Sequence, residues 1–178
     1  MNTFWRQGFC ATSIDDLSRA TGLQRGSLSN AFGSKSDIFL LALKRYNADF
    51  EAALGEDFDG LPPAQAIARF IDVCAARFTD PAHPPGCLAT LACAELPELS
   101  EAAQAEVRRS VDAIAEILTS VFTQAIKEGL VDGSVAAEDH AAHLAMLTRG
   151  MAVLFVATGD RARVDGAARS AKSAFAIQ

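Results

Sequence analysis

Within the seven residues from Gln24 to Asn30 lie side chains suited to reading the edges of bases. Gln24, Arg25, Ser27, Ser29 and Asn30 are all small or polar. Arg matches the acceptor pair of guanine, and Gln and Asn match the donor–acceptor pair of adenine. Gly26, among them, lacks a side chain and lets a duplex approach closely. Thr12 and Lys35 flank this stretch. Each is expected at a helix N-terminus, where free amides and the helix dipole favour phosphate. The implied chemistry is recognition without catalysis. The sequence has no Gly-rich phosphate loop, nucleophile motif or convincing metal set, so neither an enzyme nor a cofactor is expected.

Such residues need a scaffold that holds one short helix outward. The spacing predicts a helix capped by Thr12 or Ser13, with Ile14, Leu17 and Ala20 on its apolar face. Thr21-Gly22 stops it, and Leu23 is expected as a buried plug. A second helix, 24–32, turns Leu28 and Phe32 inward and ends at Gly33. Two helices joined by Thr21-Gly22-Leu23 make a helix-turn-helix, and a longer helix opens at Ser34 or Ser36. Before them, Met1 to Gln7 reads as the last turns of a helix stopped by Gly8, with Phe9 packing inward.

The net charge of −6 is unevenly spread. Through Arg45 the basic residues Arg6, Arg19, Arg25, Lys35, Lys44 and Arg45 face only Asp15, Asp16 and Asp37. A positive head on an acidic body suits contact with phosphate at one end. The 178 residues are half hydrophobic and rich in alanine, enough for a helical core. No run of eighteen uncharged apolar residues and no basic-then-apolar start occurs. No membrane partner is expected, and a cytoplasmic location is. Cys10, Cys74, Cys87 and Cys93 form no zinc pattern and are expected as free thiols, Cys74 and Cys93 in the core.

Beyond the head, the pattern is all-α. Residues 55–63, rich in Gly, Asp and Pro, form a loop or a break. Helices are expected over 64–78, 87–96, 100–128, 137–157 and 163–175, with proline-rich 80–86 as a loop. The helix over 137–157 is apolar on more than one side, so a second subunit is its natural cover. His140 and His143 can share a helix face as metal ligands do. With no further ligands close in sequence, they are read as lining a pocket or the surface.

The run from Cys10 to Phe39, Cys-Ala-Thr-Ser-Ile-Asp-Asp-Leu-Ser-Arg-Ala-Thr-Gly-Leu-Gln-Arg-Gly-Ser-Leu-Ser-Asn-Ala-Phe-Gly-Ser-Lys-Ser-Asp-Ile-Phe, resembles the TetR/AcrR signature. The resemblance implies a homodimer formed by the last two helices, binding double-stranded operator DNA and released by a small-molecule effector. It implies a DNA-binding domain over 1–46 and a helical-bundle domain for ligand binding and dimerisation over 47–178. It carries Thr12, Lys35 and the polar residues of the second helix over as DNA contacts. The expected effector site draws on Phe70, Cys74, Cys87, His143, Leu147 and Met151. Two departures stand out. Ser29 replaces the usual aromatic residue, and the first helix is short, which places the true start upstream or weakens DNA binding. Pro85-Gly86-Cys87-Leu88 followed by Glu95-Leu96 resembles a subgroup of the family. There Cys87, at a helix start that favours thiolate, offers an alternative: a redox or electrophile switch on the same scaffold. A further alternative is a dimeric sensor with impaired DNA binding.

Overall fold

The computed structural model describes residues 1–55 and 58–175. Among them are nine α-helices, two short 3-10 turns and no strand, so the all-α expectation holds. In chain order the helices are α1 (Asn2–Ala11), α2 (Ile14–Thr21), α3 (Arg25–Phe32), α4 (Lys35–Leu54), α5 (Pro63–Thr79), α6 (Leu88–Ala94), α7 (Glu101–Lys127), α8 (Ala137–Thr158) and α9 (Arg161–Ala174). Of the expected break at 55–63, Glu56 and Asp57 lie outside the described residues, and Phe58–Gly60 forms a 3-10 turn.

Two compact units result. The first comprises Met1–Phe50 and Cys87–Ser110, so it holds α6 and the first part of α7 as well as the N-terminal stretch. Its core joins Phe4, Trp5 and Phe9 of α1 to Leu17, Leu28, Phe39, Leu43 and Tyr46, with Leu88, Ala92 and Val107 beside them. Phe4 meets Phe39 edge-on at 5.0 Å, and Trp5 meets Tyr46 edge-on at 4.9 Å. These are favoured geometries for aromatic rings, which meet positive edge to negative face.

Polar side chains set the joints of this unit. Ser13 caps α2 by accepting from the Asp16 amide, while Asp16 accepts from the Ser13 amide, a reciprocal capping box. Ser34 and Asp37 repeat the arrangement at the start of α4. Gly22 closes α2 in the left-handed conformation (φ 72), where a side chain would be strained. Leu23 is not the buried plug expected, being 40% exposed. The turn is closed instead by hydroxyls: Ser18 donates to the Leu23 carbonyl, and the Leu23 amide donates to Thr21. Phe32, expected inward, is 44% exposed at the rim of an apolar groove of about 540 Å³ with Leu17, Leu28, Ile38 and Leu41.

The second unit comprises Glu51–Gly86 and Val111–Gln178. α5 packs on α8 and α9, and these two pack on each other. Ile67, Phe70, Ile71 and Cys74 of α5 are buried, as are Phe122 of α7, Leu144 and Met151 of α8, and Val164 and Ala168 of α9. Gly86 closes the loop before α6; a Cβ there would lie 2.5 Å from Val156. The wide apolar character of α8 makes it long and apolar enough to cross a membrane by length and composition. Ala141, Leu144, Thr148, Met151 and Ala152 mark its buried face. Met146, Val153 and Val156 remain 67%, 57% and 48% exposed.

Candidate nucleic-acid interface

α3 presents the side chains singled out by type. Leu28 anchors it in the core at 2% exposure. Gln24, Arg25, Gly26, Ser27, Ser29 and Asn30 are all exposed. A Cβ placed on Gly26 meets nothing within 4 Å, so the helix surface there is open to a close partner. Gln24 stands at the N-cap position, leaving the first-turn amides of α3 uncapped by any side chain. Arg25 is ion-paired with Asp15 of α2.

The two expected phosphate hooks sit differently. Thr12 does not cap α2. The helix α1 runs on to Ala11 beyond its kink, which makes Thr12 its C-cap. The residue is 1% exposed, and its hydroxyl donates to the Gly8 carbonyl at 2.6 Å. Buried and bonded, it holds α1 rather than presenting itself to phosphate. Lys35 does open α4, but its ammonium donates to the carbonyls of Phe9 (3.0 Å) and Thr12 (3.1 Å) and lies 4.2 Å from the Phe9 ring centroid. An ammonium has three donors, so one is left for an outside anion.

The capping carboxylates are tuned by the same local bonds. Hydrogen bonds from Ser13 hold the Asp16 carboxyl below its ordinary value, and those from Ser34 do the same for Asp37. In the buried joint between α4 and α7, Glu106 accepts from Asn47 at 2.7 Å and twice from Arg109. The Arg109 bonds are the main reason its carboxyl is also held low.

The effector residues expected from sequence fall on α5, the start of α6 and α8. Phe70, Cys74 and Met151 are each 2% exposed, part of the second unit's core, and Leu147 is half-buried on α8. His143 is exposed and lines a separate groove of about 460 Å³ with His140, Asp132 and Phe175. Cys87 belongs to the first unit, half-buried at the N-cap of α6. Cys93 is exposed, because α6 buries Leu88, Ala89 and Ala92 on its other face. One residue that spacing did not single out for a role is Glu95. Its carboxylate accepts from the amides of Phe9 and Cys10. Desolvation and this neighbouring carboxylate push the Cys10 thiol up.

A short outward helix, fixed by a glycine turn and a capped partner helix within an all-helical chain, defines a helix-turn-helix regulator. Comparison with known proteins agrees. Residues 63–171 match the family described as "Tetracyclin repressor-like, C-terminal domain", and residues 1–42 match "Bacterial regulatory proteins, tetR family". The chain belongs to the TetR family, whose members are transcriptional regulators and not enzymes. A TetR-family regulator from Agrobacterium tumefaciens shares its fold at a TM-score of 0.87 and 25% identity, over 97% of this chain and 90% of that one. The TetR-family regulator CifR, solved as a cysteine mutant with double-strand operator DNA, aligns at a TM-score of 0.84 and 27% identity, over 97% and 91%. The HTH-type transcriptional repressor ComR of Escherichia coli is 32% identical over 98 residues, 54% of this chain. That match spans about half of ComR, 47% of its length.

Proposed function

We propose that this chain is a cytoplasmic repressor that binds double-stranded operator DNA as a homodimer and is released by a small-molecule effector. The observation that carries this reading is the exposed polar face of α3, with Leu28 beneath it and open space around Gly26. Gln24, Arg25, Ser27, Ser29 and Asn30 would meet base edges in the major groove, where an α-helix fits. Lys35 would give its remaining donor to a phosphate. Complexes of CifR with operator DNA support the same use of the fold here. The exposed apolar residues of α8, Met146, Val153 and Val156, suit a second copy of the chain. Effector and operator would then oppose each other reciprocally, each weakening the other's binding.

The test is a salt-titrated binding measurement with DNA from upstream of the protein's own gene. Tight, sequence-specific binding that falls steeply with salt is expected. Binding no tighter than to a random duplex would sink the reading and favour a sensor without a DNA role.

A second reading rests on Cys87, which stands half-buried at the first position before α6 with its side chain making no cap bond. On that reading its thiol responds to oxidants or electrophiles. Cys87→Ser should then keep DNA binding and lose the response to hydrogen peroxide. A response retained in that variant removes the reading.

A further inference from the structure

α6 ends at Ala94, and the next residue reaches back to the start of the chain. The Glu95 carboxylate accepts from the Phe9 amide at 2.6 Å and from the Cys10 amide at 3.0 Å. Those amides need an outside acceptor because Gly8 leaves helical geometry (φ 80, ψ 178) and begins a new turn, as at any helix start. The fit is mutual. A Cβ at Gly8 would lie 2.8 Å from both carboxylate oxygens, and its φ is one that L side chains rarely adopt.

The same short segment is gripped from the other side. Lys35 donates to the carbonyls of Phe9 and Thr12, and the Thr12 hydroxyl donates to that of Gly8. Lys35 is the first residue of α4 and follows α3 after only Gly33 and Ser34. Charge-assisted hydrogen bonds therefore run from Glu95, just past α6, through Phe9, Cys10 and Thr12 to Lys35, which opens α4 three residues after the last residue of α3. Such bonds are stronger and more directional than neutral ones. α6 is also the first element after Gly86, where the chain passes from the second unit into the first.

We propose that Glu95 is a positioning residue for operator binding: it ties α6 to α1 and, through residues 8–12 and Lys35, fixes the angle at which α3 is presented. This rests on the operator-binding reading above. Glu95 acts through the main chain of α1.

Three variants of the full chain test this. Glu95→Gln keeps the shape and one acceptor oxygen but sets an NH2 donor against the second amide. Glu95→Ala removes both acceptors, and Glu95→Asp keeps the charge one methylene short. Each is titrated with the upstream DNA fragment and with a random-sequence duplex of equal length, and each is melted. About a tenfold loss of specific affinity is expected for the Gln variant and a larger loss for Ala, as when a charged hydrogen-bond acceptor is removed. Asp should recover part of the loss. Affinity for the random duplex should change much less than specific affinity, since it depends on phosphate contacts and not on base contacts. Should the Ala variant fail to fold, the Gln and Asp variants carry the comparison. Unchanged specific affinity in the Gln variant, or equal losses on both duplexes, overturns the proposal while leaving the operator reading in place. Absence of specific binding by the unaltered chain overturns the operator reading and this proposal with it.

Discussion

The two units of the chain are held together by different chemistry. In the first, polar side chains fix each joint: Ser13 with Asp16, Ser34 with Asp37, Lys35 and Glu95 on α1, and Asn47 with Glu106. In the second, α5, α8 and α9 meet through Ile67, Phe70, Leu144, Met151 and Val164, and an ion pair such as Lys172 with Asp72 lies at the exposed rim. Directional bonds fix angles, whereas apolar contact is non-directional and fixes mainly proximity. A unit that must present one short helix in one orientation gains from the first.

The largest effects are expected in the two cores. Phe122→Ala in the second unit should cost about 3–5 kcal/mol, and Leu28→Ala in the first about 2–5 kcal/mol. Trp5 is the chain's only tryptophan and lies in the first unit's core. Its fluorescence should follow Leu28→Ala directly, while circular dichroism follows the loss of helix in both units. If Leu28→Ala leaves the Trp5 transition unmoved, α3 is not anchored as described.

Next in size is the exposed face of α8. Val153→Asp places a charge within the apolar patch formed with Met146 and Val156. Sedimentation should show a dimer turning to monomer, with helix content retained. A dimer that persists means that α8 is covered by something else. On the reading face, Asn30→Ala should reduce specific operator affinity by about 1–3 kcal/mol, the worth of one good base contact. Its melting curve should match that of the unaltered chain, since Asn30 is exposed.

The smallest effects test the polar joints. Ser13→Ala should cost about 1 kcal/mol of stability through the lost cap. The carboxyls of Asp16, Asp37 and Glu106 are lowered in the folded chain, so each favours folding fully above its unfolded value. That contribution is lost as pH falls below about 4 and through the lower folded values. Trp5 fluorescence should therefore report loosening of the first unit in that acid window, and Ser13→Ala with Ser34→Ala should shallow the pH dependence. An acid transition of equal steepness in the double variant would remove the caps from this account.

How much was legible in the sequence follows the same division. Gly22, Gly33, Leu28 and the polar run on α3 are set by local geometry, and their types and spacing located the helix-turn-helix and its outward face. Thr12 ends α1 and does not open α2, because α1 resumes after Gly8, a kink that short-range pattern reads as a stop. An apolar residue in a tight turn is usually buried, but at Leu23 hydroxyls close the turn instead, and Phe32, inward by its helical spacing from Leu28, lies at the rim of a groove. Glu95 meets its partners across 85 and 86 residues, and no spacing rule connects them. The same holds for the second unit, where which faces of α5 and α8 meet depends on packing that periodicity alone does not assign. Phe70, Cys74 and Met151 are buried by that packing.

On the proposed function, α3 is the element that reads DNA sequence. The most direct measurement compares the unaltered chain with a Gln24→Ala, Asn30→Ala double variant. Both are titrated with the upstream operator fragment and a random duplex across several salt concentrations. The account predicts that the double variant binds the operator no better than the random duplex, with its salt dependence nearly unchanged because phosphate contacts remain. An operator affinity equal to that of the unaltered chain would contradict it, since the sequence would then be read from some other surface.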